Sequence, residues 1–188
     1  MKPSPPTAQA LIIAVLLAMP HVTWAGVVPA GPEEALIQQF QSLCLIEPPD
    51  LDRLSARARG MRLRDTSDTT TRGADGIITH AMVWAGALST GPYEMLAAQS
   101  TWPKGSSVSC AVAGGVRDTE VFRASAVSRM GLPAVPVPTA QPDGGRTWSW
   151  HRVRAYGTSI TIREFPPAAG PRVMLKLETR DSSRRVTP

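Results

Sequence analysis

The chain has 188 residues, 20 Lys and Arg against 15 Asp and Glu, a formal net charge of +5 and a sequence pI near 9.9. That length suits one domain with a core of its own. Seventeen of the 20 basic residues are Arg, and they read as scattered, which fits either a GC-rich coding bias or an anion-binding face and disfavours a dedicated nucleic-acid binder.

The N-terminus carries Lys2, an apolar run from Ala10 to Met19, and Thr23-Trp24-Ala25. A charged start, a short apolar stretch and a small residue before the cut predict a signal peptide over residues 1–25. The run is about half the roughly 20 residues of a membrane-spanning helix and stops at Pro20, which argues against a permanent anchor. No Cys follows it directly, against a lipoprotein, and no Arg-Arg pair precedes it, against twin-arginine export. Cleavage after Ala25 leaves Gly26–Pro188 with a charge of +4, since Lys2 leaves and no acid does. Residues 26–180 are expected to form one domain and 181–188 a polar, basic, disordered tail.

Along the domain, Gly31 is expected to cap a helix with Pro32 at its first position and Glu33 and Glu34 in its first turn. Leu36, Ile37, Phe40, Leu43 and Cys44 form its apolar stripe, and Glu47-Pro48-Pro49 ends it. Asp50 caps a second helix that runs to Arg59 and stops at Gly60. Residues 65–76, polar and rich in Thr and Gly, read as a loop. Strands follow at Ile77–Leu88, Tyr93–Thr101 and around Val108–Val112, with turns at 89–92 and 102–105. Asp118 caps a third helix that ends near Met130, and Leu132–Gly145, with its four prolines, reads as a linker. Three further strands are expected at Arg146–Tyr156, Ser159–Phe165 and Arg172–Arg180. Short turns join strands antiparallel, so the fold class is α+β: a two-layer sandwich with a mostly antiparallel sheet and about three helices on one face.

Cys44 lies on a helix stripe and Cys110 on the apolar side of a strand, both aimed at one helix–sheet interface. An exported setting predicts a disulfide between them, with two buried free thiols as the alternative. Phe40-x-x-x-Cys44 with a later strand Cys110 resembles small exported proteins of GC-rich Gram-negative bacteria over about residues 33–115. The resemblance implies a periplasmic or secreted setting and supplies no activity.

Chemistry is sparse. His80 and His151 are the only histidines after the predicted cut, too few for a zinc site, and the chain implies no cofactor and no metal. Ser89 sits in a sequence close to a nucleophile elbow but with one residue too many, so it reads as a turn residue. Trp148, Trp150, Arg152, Arg154 and Tyr156 share one strand face and form the candidate binding face. The bland alternative is core indoles with Arg reaching solvent. The sequence therefore points first to an exported, non-enzymatic domain that binds an envelope protein or small ligand. A hydrolase using His80 or His151 is the second reading, and an anion or nucleic-acid binder through dispersed Arg the third.

Overall fold

The structure is a computed structural model, and it describes residues 31–45, 50–151, 153, 157–166, 168 and 170–181. The predicted signal peptide and residues 182–188 lie outside them. Among the described residues, three helices, α1 (Pro32–Cys44), α2 (Leu51–Gly60) and α3 (Thr119–Arg129), accompany eight strands. These are β1 (Arg64–Arg72), β2 (Ile78–Leu88), β3 (Gly91–Trp102), β4 (Gly105–Gly115), β5 (Thr139–Ala140), β6 (Arg146–His151), β7 (Thr158–Glu164) and β8 (Arg172–Asp181). They make one antiparallel sheet in the order β1-β2-β3-β4-β8-β7-β6-β5. The fold is α+β with the helices on one face.

The helices start where the sequence says they should. Pro32 opens α1, whose first-turn amides lack partners in any case. The Asp50 carboxylate accepts from the Arg53 amide at 2.7 Å, and that of Asp118 from the Glu120 and Val121 amides at 2.8 and 3.0 Å. α1 lies over β4 and β8, α2 over β3, and α3 beside α1. The Glu33 carboxylate accepts from the Arg117 and Asp118 amides at 2.7 and 3.2 Å, tying the start of α1 to the start of α3.

Strand alternation divides the sheet into two faces. On the helix side the register aligns Trp84, Met95, Val112, Leu175, Ile162 and Trp148 in one row across six strands, every one of them buried. The adjacent row runs Ala97, Cys110, Leu177, Ile160, Trp150. Two glycines let neighbours approach this face. A Cβ on Gly86 would meet the Tyr93 ring at 2.5 Å, and one on Gly114 would meet Leu36 of α1 at 3.0 Å.

Cys44, the last residue of α1, is bonded to Cys110 in the middle of β4, with 5.3 Å between their Cα atoms. The bridge fastens the helix layer to the sheet at a buried point. It closes a separation of 66 residues, which the loop-entropy model values at roughly 4 kcal/mol.

The structure corrects the strand plan in three places. Residues 65–76 are not a loop: most of them form β1, and 73–77 make the turn into β2. In that turn the Gly73 amide donates to Ile77, the Gly76 amide to Gly73, and Gly76 takes a φ of +78°. The linker 132–145 contains the two-residue strand β5. Asp181 belongs to β8 rather than to a tail.

Candidate functional site

The predicted site residues are placed as follows. Trp148 and Trp150 face the helix layer and are 3% and 4% exposed, so the indoles belong to the core and present no open aromatic surface. Arg152, Arg154 and Tyr156 lie outside the described residues. The Trp148 ring is flanked by the guanidinium groups of Arg123 and Arg146, 4.3 and 5.3 Å from its centroid. Both of these arginines ion-pair with the buried carboxylate of Glu164, Arg146 at 2.7 Å. Glu164 falls in the same helix-side row as Val173 and Arg146, so this cluster satisfies a charge at the margin of the core. The Trp150 Nε1 donates to the Pro133 carbonyl at 3.3 Å, which gives the proline-rich stretch a packing role.

His80 Nε2 is 2.7 Å from the Asp68 carboxylate, a cross-strand pair between β2 and β1. The side chains are 41% and 63% exposed, so the pair sits in solvent at the sheet margin. His151 ends β6 on the opposite face, paired in register with Ser159. The structure thus does not bring the two histidines together. Ser89 lies in the turn after β2. Among the described residues no group of three or more His, Cys, Asp or Glu gathers as a metal centre would require, and no helix is long and apolar enough to cross a membrane.

What the sequence reading missed is the face of the sheet without helices. Its first row, set by the register alone, is Thr71, Thr79, Ser100, Ser107, Arg180, and its second is Ala81, Ala98, Ser109, Glu178, Ser159, His151. Small side chains at the floor and the β1–β2 turn at one wall leave a trough of about 920 Å³. Thr71, Thr79, Ser100, Ser107 and Ser109 contribute hydroxyls to it and Trp102 an aromatic wall. The Thr79 and Ser100 hydroxyls are 2.9 Å apart.

The charges in the trough are organised around Glu178. Lys176 Nζ and Arg180 Nε each donate to its carboxylate at 2.8 Å. Burial pushes the Glu178 carboxyl up, but the two cations outweigh it and hold the group below its ordinary value. Lys104, at the mouth, makes no ion pair among the described residues. Lys104, Lys176 and Arg180 against Asp75 and Glu178 leave the trough with a positive excess.

A second missed feature is basic. Arg57, Arg59, Arg62 and Arg64 run from the end of α2 into β1, all exposed and none in an ion pair among the described residues. Arg59 Nη2 instead donates to the Ser55 hydroxyl at 2.6 Å. Four of the seventeen arginines thus fall within residues 57–64, a local concentration along the chain. The signal lay in residues 53–64, where five Arg occur with no acid. No protein-family model, no curated protein and no solved structure matches this chain.

Proposed function

We propose that the chain is an exported, disulfide-stapled binding domain, non-enzymatic, whose working surface is the hydroxyl-lined trough on the open face of the sheet. The buried Cys44–Cys110 bond and the predicted signal peptide support a periplasmic or secreted setting. The observation that carries the binding reading is the trough itself. Five hydroxyls, an indole wall and a net positive charge meet on a surface that no helix among the described residues covers. Hydroxyls that both donate and accept suit a hydroxylated ligand, the indole suits the apolar face of a sugar ring, and unpaired Lys104 suits a carboxylate. The ligand class is therefore a polyhydroxylated small molecule bearing an acidic group.

An NMR titration of the mature, oxidised protein with gluconate, glucuronate and their uncharged counterparts tests this. The expected result is saturable shifts at Ser100, Trp102, Lys104 and Ser109 with the acids. They should weaken in Lys104→Glu and vanish in Ser109→Trp, which fills the trough. Shifts absent from the trough for every acid would remove the reading.

A second reading rests on Arg57, Arg59, Arg62 and Arg64, which form an anion-binding patch distinct from the trough. Inorganic polyphosphate is the probe. Binding should fall steeply with salt and be lost in Arg57→Glu/Arg62→Glu, whereas salt-independent binding would exclude the patch.

A further inference from the structure

We infer that β1 is a docking edge for a second copy of this chain, joined antiparallel about Thr70 into one continuous sheet. β1 is nine residues long, contains no proline, is exposed along its whole length and, among the described residues, has one strand neighbour. An open edge of this kind is a template for another strand unless something blocks it.

The hydrogen-bond pattern says which residues are available. In an antiparallel pair, hydrogen-bonded and non-hydrogen-bonded positions alternate. Gly73 is bonded to Ile77 at the turn, so Thr71 and Thr69 turn their amides and carbonyls inward to Thr79 and Ala81. Asp68, Thr70 and Arg72 therefore turn theirs outward. The irregularity between Asp65 and Ser67 ends the regular edge on the other side.

Charge then selects the register. A two-fold axis through Thr70 places Thr70 against Thr70 of the second copy, and Asp68 of each copy against Arg72 of the other. Every outward group meets an outward group, and both charged pairs are of opposite sign. Arg72 makes no ion pair among the described residues, and Asp68, already held by His80 from one side, is free to accept it from the other. Moving the axis to Asp68 sets Asp68 against its own copy and brings Arg72 toward Arg64. Registers centred on Thr69 or Thr71 oppose Thr70 to a single charge and form no ion pair, so the Thr70 register is the one that charge favours. The surface is smaller than the 1,200 Å² or so of a standard stable interface, so a concentration-dependent dimer is expected.

Sedimentation velocity on the mature, oxidised chain from low micromolar to near-millimolar concentration provides the test. Wild type should pass from monomer to dimer. Asp68→Arg and Arg72→Asp should each stay monomeric, since each sets like charges opposite one another. An equimolar mixture of the two variants should dimerise again, because every like pair then becomes an unlike one. Both substitutions are on exposed side chains, and unchanged circular dichroism would show that the fold persists. A wild type that stays monomeric throughout, a dimer that ignores the single substitutions, or a mixture that fails to associate would overturn the inference.

Discussion

The same sheet holds two very different strands in β4 and β1. β4 runs through the middle under α1, carries the disulfide, and buries Cys110, Ala111 and Val112. β1 pairs with β2 along its length, apart from the irregularity between Asp65 and Ser67, yet buries nothing, and its residues are Thr, Ser, Asp and Arg. Backbone hydrogen bonding is thus common to both, and side-chain burial separates them. The lesson is that an edge strand can rest on its ladder and hairpin turn alone, so its opening is expected to be decoupled from that of the core. The far edge solves the exposure problem differently. There β5 is only two residues long and follows Pro133, Pro136 and Pro138, which cannot donate to a neighbour.

Substitutions at the centre should lower global stability, and those at the margin should not. The largest effect is expected from Cys44→Ala/Cys110→Ala, which removes about 4 kcal/mol by the loop-entropy estimate and should appear as a lower denaturant midpoint for every probe. Next comes Glu164→Gln. It strips the buried partner from Arg123 and Arg146 and should cost about 3 kcal/mol by the same measurement.

An acid titration gives a middle-sized effect. Glu178 binds its proton less tightly folded than unfolded, so its contribution is complete above the ordinary value of 4.5 and disappears as the pH falls through the lower folded value. Chemical denaturation between pH 6 and 3 should show that loss in wild type and a flatter profile in Glu178→Gln. A margin substitution, Gly76→Val, places a β-branched residue at a φ of +78° in the β1–β2 turn. It should speed amide exchange in β1 far more than in β4, and lower the global stability by no more than the free energy that opens β1. The smallest and most local contrast lies within β1 of the monomer. The amides of Asp68, Thr70 and Arg72 should exchange faster than those of Thr69 and Thr71, and a uniform pattern would break the alternation argued for this edge.

Legibility in the sequence follows the same division. The helices α1, α2 and α3 announced themselves through Pro32, Asp50 and Asp118 because caps act locally. β4 and β8 were readable because one face of each is buried, which writes a two-residue period into Val108–Val112 and Val173–Leu177. β1 was misread because a strand exposed on both faces carries no such period. Its Thr run was the remaining trace, since β-branched residues favour extended backbone. Alternation placed Trp148 and Trp150 on one face correctly but could not say which face the helices would cover. The trough was hidden for another reason. Ser100, Ser107 and Arg180 become neighbours only through the register of β3, β4 and β8, and no local pattern records pairing between strands so distant in the chain.

The position of β8 divides the sheet. The last of the described strands is inserted between β4 and β7, so among them it is β8 that joins the β1–β4 part of the sheet to the β5–β7 part. Both cysteines precede it. The bridge joins α1 to β4 within the first part, so its closure requires no residue of β8. The C-terminal strand is the element through which the two parts become one sheet.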